Sequence, residues 1–161
     1  MPKRISNYSG ILDADQGYVL KLLNRWQPST TCRTEKDHER HLLAYLQKEL
    51  PQVPIISQYG IAKGVADLVI EDRHVIELKL GFDETKLGEF DRCIGQLERY
   101  RQKWVKPERG PVYLVMVGKS DAEFRDMLHS WFENVNPSYT GVFEPPIFHL
   151  VEKQLANASA T

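Results

Sequence analysis

Val65-Ala66-Asp67-Leu68-Val69-Ile70-Glu71-Asp72-Arg73-His74-Val75-Ile76-Glu77-Leu78-Lys79-Leu80 contains two runs of β-type alternation separated by a polar break. Ala66, Leu68 and Ile70 form one apolar set, and Ile76, Leu78 and Leu80 form another. The two sets share one side of a sheet only if Glu71-Asp72-Arg73 is a three-residue loop. A slip of one residue would send one set to the opposite face. That register sets Asp67 directly opposite Glu77, with Lys79 two residues further along the same face. Two carboxylates and an ammonium then project from the middle of an otherwise hydrophobic hairpin. Opposed carboxylates repel and by themselves destabilise a sheet, whereas a divalent cation between them reverses the sign of that interaction. Hard oxygen ligands suit Mg²⁺, which takes one or two carboxylates and keeps most of its waters. Lys79 adds a cation aimed at whatever anion the metal binds. A metal and a lysine beside a coordinated water are suited to attack on a phosphodiester.

Upstream of the hairpin, Val53–Tyr59 reads as a further strand, with Gly60 and Gly64 in the turn after it. A helix is expected from about Glu35 to Leu50, capped by Thr34 with Asp37 three residues on and ended by Pro51 and Pro54. Its stripe of Leu42, Leu43, Leu46 and Leu50 also takes in Glu39, with Glu35 one turn earlier. A carboxylate on a core-facing stripe needs a partner. The metal site is one candidate, and a surface charge near the helix end is the alternative. A shorter helix precedes it, capped by Asp15, with Val19, Leu20, Leu23 and Trp26 on its apolar side and Pro28 beyond its end.

Downstream, a long amphipathic helix is expected over about Thr85 to Val105, with Gln96 and Tyr100 one turn apart beside Leu97. Pro111–Val117 is a nearly continuous apolar strand of the kind buried on both faces. Ser120 and Glu123 form an S-x-x-E capping box ahead of Phe124, Leu128 and Trp131, and Ile147–Val151 reads as a last strand. The order α-β-β-β-α-β-α-β is that of an α/β fold in which helices flank a central mixed sheet. The helix before Val112 favours parallel pairing there. Residues 1–33 read as an N-terminal helical extension, 34–152 as a single α/β domain and 153–161 as a flexible tail.

The chain has 161 residues, enough for one domain that folds without disulfides or a structural metal. Hydrophobic residues at 42% and charged residues at 27% argue against disorder. The longest apolar run, Val112–Val117, is far shorter than the roughly 18 residues a membrane span needs. Met1-Pro2-Lys3-Arg4 is basic, but Asn7, Asp13 and Asp15 fall where a signal peptide would be apolar. The expectation is therefore a soluble, cytoplasmic protein in which Cys32 and Cys93 are reduced.

A net charge of −1 excludes a uniformly basic nucleic-acid coat but not a local basic face. One such run is Arg92, Arg99, Arg101, Lys103, Lys106 and Arg109, set against only Glu98 and Glu108, with Tyr100 and Trp104 among them. This run could track a phosphate backbone, as could Lys63 in the loop before Asp67; a solvated helix face is the alternative. His38-Glu39-Arg40-His41 lacks the four-residue histidine spacing of a zinc protease.

Together these features resemble the PD-(D/E)xK nuclease superfamily, the restriction-endonuclease-like fold. The matching residues are Glu39 on the first long helix, Ala66-Asp67 as the "PD" element and Glu77-Leu78-Lys79 as the "ExK" element. Gln96-Leu97-Glu98-Arg99-Tyr100 resembles the Q-x-x-x-Y element of the RecB-like branch. Alanine stands where the family often has the proline, and the resemblance covers roughly residues 34 to 118. It implies that Asp67, Glu77 and the Leu78 carbonyl hold Mg²⁺, or Mn²⁺ in its place, with Glu39 assisting. Lys79 would act on water and on phosphate charge, and Gln96 would support the site. Nucleic-acid contacts would come from Lys63, Arg99, Tyr100, Arg101 and Lys103. The expected activity is hydrolysis of DNA phosphodiesters, by a homodimer or within a larger nucleic-acid-processing complex.

A bare [DE]-x-K triplet occurs about once by chance in a chain of ordinary composition, and Glu84-Thr85-Lys86 is such a decoy at a helix start. Two other readings stay open. One is a catalytically inactive nucleic-acid-binding or assembly module on the same fold; the other is a structural protein whose charged strand face meets a protein partner.

Overall fold

The computed structural model describes residues 16–61, 63–104, 110–136 and 147–155. The expected Asp15 cap, the basic residues Lys106 and Arg109, and the tail beyond residue 155 lie outside the described residues. Among those described, four α-helices flank one five-stranded mixed sheet: α1 (Gln16–Arg25), α2 (Glu35–Glu49), α3 (Leu87–Lys103) and α4 (Ala122–Val135). The strands are β1 (Ile55–Ile61), β2 (Gly64–Ile70), β3 (His74–Leu80), β4 (Val112–Val117) and β5 (Phe148–Lys153), lying side by side in chain order. β1, β2 and β3 pair antiparallel, while β3–β4 and β4–β5 are parallel, joined through α3 and α4. No described helix is long and apolar enough to cross a membrane.

The sheet divides the core into two layers. Even-numbered residues of β3 and odd-numbered residues of β4 (Ile76, Leu78, Tyr113, Val115, Val117) pack with Leu42 and Leu46 of α2 and with Val19, Leu22 and Leu23 of α1. Residues of opposite parity (Val75, Val112, Leu114, Met116) pack with Phe90, Cys93, Leu97 and Tyr100 of α3 and with Phe124, Leu128 and Phe132 of α4. Every residue of β4 is buried, as its unbroken apolar run implies for a central parallel strand. The segment expected as an N-terminal extension is part of this core: Val19, Leu22, Leu23 and Trp26 are all buried. β5 ends at Lys153, two residues later than expected. Lys153 Nζ donates to the Asn24 carbonyl at 2.6 Å, tying β5 to the end of α1.

A local signal explains the start of α2. Thr34 accepts a hydrogen bond from the Asp37 N–H at 3.1 Å, and Asp37 accepts one from the Thr34 N–H at 3.2 Å, a reciprocal capping box. The expected box at Ser120 is absent. Asp121 occupies the N-cap of α4 without a side-chain cap, and Ser120 Oγ accepts from the Phe82 N–H at 2.9 Å instead. A buried amide at the end of β3 claims the hydroxyl that sequence spacing assigns to the helix. Glu84-Thr85-Lys86 forms a 3-10 turn before α3 and none of its residues is buried.

The same crossing point makes Gly81 sensitive. A Cβ there would collide with the Lys119 carbonyl and lie 3.1 Å from the Ser120 nitrogen, both backbone groups that cannot swing aside. Gly81→Ala is expected to destabilise the fold by about 1–3 kcal/mol, the usual range for overpacking. Urea denaturation would read this as a lower midpoint with unchanged slope.

Candidate functional site

Ile70 pairs with His74, so Glu71-Asp72-Arg73 is the three-residue loop the alternation requires. Glu71 and Asp72 take φ of 52° and 56°, a left-handed conformation disfavoured outside glycine and Asn/Asp. Cross-strand contacts hold them there: the Glu71 N–H donates to the Pro54 carbonyl at 2.8 Å, and the Tyr59 hydroxyl donates to the Asp72 carboxylate.

Asp67 is missing from both ladders of β2. Pairing with β3 stops at Leu68–Ile76, and pairing with β1 skips from Leu68 to Ala66. Opposite it on β1, Gln58 has φ 55° and leaves the strand path. The alternation of β2 slips here: Ala66 packs in the α3 layer with Val69, while Leu68 and Ile70 pack in the α2 layer. Ala66 therefore does not share a side with Leu68 and Ile70 as the sequence pattern suggests. Side chains take over where the backbones part. Asp67 Oδ2 accepts the Leu78 N–H at 2.8 Å, and Glu77 Oε1 accepts the Asp67 N–H at 3.3 Å. The expected carboxylate pair thus lies across an opened strand junction.

Glu77 is 1% exposed, and its two oxygens differ. Oε1 takes hydrogen bonds from Gln96 Nε2 at 2.9 Å and from the Tyr100 hydroxyl, so α3 grips the carboxyl from above. Gln96 also donates to the Val65 carbonyl at 3.0 Å, fixing the helix to β2. Oε2 is buried with no hydrogen-bond partner among the described residues. Burial, reinforced by the Asp67 charge, raises the Glu77 carboxyl well above its usual range. Burial likewise pushes up the Tyr100 hydroxyl, which stays protonated as a donor.

Lys79 points along the same face, with Nζ 3.7 Å from Glu35 Oε1. Burial works to lower its ammonium, but Glu77, Glu35 and Asp67 outweigh it, and the net direction is upward. Lys79 is therefore a fixed cation, suited to stabilising anionic charge and not to accepting a proton. Beside it, a cavity of about 310 Å³ is lined by Glu35, Lys79, Glu89, Arg92, Cys93 and Gln96. Burial pushes the Cys93 thiol up to about 12, so it is no nucleophile there.

The remaining expected residues divide. Glu39 is buried but bonds to Gln58 Nε2 at 2.8 Å and pairs with Lys36 at 3.7 Å; its neighbour Glu35 is the α2 carboxylate that reaches Lys79. Two glutamates one turn apart are indistinguishable by helical period, and the structure turns Glu39 toward Gln58 and Glu35 toward Lys79. Tyr100 was expected at nucleic acid, but at 1% exposure its ring is closed to a base and its hydroxyl serves Glu77. Trp104 is equally buried. Arg101 is tied to Glu98 at 2.7 Å, whereas Lys63, Arg99 and Lys103 border one groove. His41 accepts from Trp26 Nε1 at 3.0 Å, and no described group of three or more His, Cys, Asp or Glu residues is gathered as a metal-ligand cluster.

The donor set nevertheless fits one hard cation. Glu77 Oε2 has no hydrogen-bond partner among the described residues, and Asp67 would offer the oxygen that does not take the Leu78 N–H. Leu78, whose carbonyl was the third expected ligand, follows Glu77 on β3 and gives its N–H to Asp67. A neutralising charge at this point would relieve both the orphaned oxygen and the carboxylate repulsion. No family model, curated protein or solved structure matches this chain.

Proposed function

We propose that this chain is a divalent-metal-dependent nuclease of restriction-endonuclease-like fold that hydrolyses DNA phosphodiesters. The observation that carries the reading is the opened junction itself: Asp67 and Glu77 meet where the β2–β3 ladder stops, one carboxylate oxygen is left without a partner, and a charged lysine stands on the same face. Asp67 and Glu77, with the Leu78 carbonyl, would hold Mg²⁺ or Mn²⁺. The bound cation would supply Lewis-acid stabilisation of charge on the phosphate. Lys79 places a second positive charge against the same phosphate and orients water toward it. Gln96 and Tyr100 hold Glu77 so that its free oxygen keeps one direction, and Glu35 holds the Lys79 ammonium in the cavity.

The test is cleavage of linear duplex, nicked circle, single strand and four-way junction in Mn²⁺ or EDTA, with wild type and Lys79→Ala side by side. Metal-dependent cutting that the substitution removes is the expected result. One observation favours a second reading, a silent nucleic-acid-binding module on the same fold: Glu77 is almost fully enclosed and already takes three hydrogen bonds on Oε1. No cutting of any substrate, together with no rise in melting temperature on adding metal, would decide for that module.

A further inference from the structure

α3 borders two spaces in succession. Arg92, Cys93 and Gln96 line the cavity beside Lys79, and from Gly95 onward the helix borders a separate groove of about 430 Å³. That groove is lined by Lys63 from the β1–β2 turn and by Gly95, Glu98, Arg99, Gln102 and Lys103 from the helix. Arg99 lies one turn beyond Gln96 and Lys103 a second turn beyond, at about 5.4 Å of rise per turn. The two spaces therefore run along one helix, side by side, with Gln96 at their border.

The groove's charges are arranged for an anion. Lys63, Arg99 and Lys103 are exposed, and none makes an ion pair with a described residue, whereas Glu98 is occupied by Arg101 at 2.7 Å and by Trp131 Nε1 at 3.0 Å. The one acid on the lining is thus already neutralised by its own partners. The groove is also held open. The Arg99 guanidinium occupies the position a Cβ on Gly64 would take, so the missing side chain lets the arginine lie across the hairpin turn. Nothing stands within 4 Å of where a Gly95 side chain would begin. With the aromatic rings of Tyr100 and Trp104 buried, the described lining contains no aromatic ring for a base to stack on.

We infer that the Lys63–Arg99–Lys103 groove holds a backbone phosphate of the DNA strand adjacent to the one presented to Asp67, Glu77 and Lys79. This rests on the nuclease reading for its substrate, but its binding test does not depend on catalysis. The groove grips one strand from two sides, through a turn lysine and two helix cations, and it recognises phosphate independently of base sequence.

The experiment is fluorescence anisotropy with labelled 20-nucleotide single strand and the matching duplex in EDTA, over a series of salt concentrations. Wild type, Arg99→Ala/Lys103→Ala and Lys63→Glu are compared with the surface control Lys48→Ala. All the substituted side chains are exposed, so equal melting temperatures are expected. The double variant is expected to bind about tenfold or more weakly at low salt. Its slope of log affinity against log salt should be flatter by about 0.7 per lost contact on single strand, or about 0.9 on duplex. Lys48→Ala should match wild type. An unchanged affinity and slope in the double variant would overturn the groove, as would polyglutamate competing as well as DNA of equal charge. Inorganic phosphate that raises the melting temperature of wild type but not of Arg99→Ala, with DNA affinity untouched, would replace the strand by a free anion. If the groove variants weaken binding while wild type cleaves nothing in Mn²⁺, the nuclease reading falls and the groove stands.

Discussion

Lys79→Ala is expected to slow metal-dependent DNA cleavage by about 10²–10⁴-fold, the range associated with losing a positioned catalytic charge. The side chain is partly exposed and meets Glu35 at 3.7 Å, so its removal leaves no cavity in either core layer. Because the neighbouring acids favour this ammonium, its loss should lower the melting temperature of the metal-free protein modestly, and the loss of activity should fall on kcat more than on KM. Because neighbouring acids raise the ammonium's pKa, its loss should shift no limb of the rate profile near neutral pH. Lys79→Arg, which keeps the charge but changes its shape, is expected to recover part of the rate. A wild-type rate in Lys79→Ala would end the mechanism as drawn.

Glu77→Gln should separate stability from activity. Burial raises the Glu77 carboxyl above its unfolded value of 4.5, so in the metal-free protein its contribution to stability is fully present below that value and is lost as pH rises through the folded pKa. Metal-free wild type should accordingly lose stability as pH rises from about 4.5 toward the folded pKa. The neutral glutamine keeps an acceptor for Gln96 and Tyr100 and removes that pH dependence. At neutral pH it is expected to stabilise the metal-free fold by about 1–3 kcal/mol, where each kcal/mol moves the melting temperature of a chain this long by about 2–4 °C. Cleavage should be abolished. Mn²⁺ at about 100 times its dissociation constant should stabilise wild type by about 2.7 kcal/mol and leave the variant unmoved. Calorimetry with and without Mn²⁺, across pH, reads all of these. A Glu77→Gln protein that still melts higher with Mn²⁺ would place the cation elsewhere.

The parts of this arrangement readable in the sequence are those with a short-range physical signature. Thr34 and Asp37 bond to each other's backbone three residues apart, so their spacing suffices. The Glu71–Arg73 loop agrees with parity, since a loop one residue shorter or longer would turn Leu68 and Ile76 to opposite faces. What escapes is set by contacts distant in sequence. Ser120 sits in a good capping pattern, yet the Phe82 amide, 38 positions away, takes its oxygen. Tyr100 lies among basic residues, yet its direction is decided by Glu77 beneath it. Choosing Glu35 over Glu39 at Lys79 depends on how α2 sits over β3. Gln58 carries no signal at all: glutamine has no preference for positive φ, and only its place opposite Asp67 shows what the kink does.

That kink also bears on how copies of the chain avoid one another. β1 is an edge of the sheet and much of it is exposed, including Ile56. A straight edge strand offers a continuous row of amides and carbonyls on which a second molecule can grow an intermolecular sheet. The left-handed residue at Gln58 divides that row near its middle, leaving two segments too short to template such growth. The distortion that takes Asp67 out of its pairing with β1 thereby also works against aggregation along the outer edge.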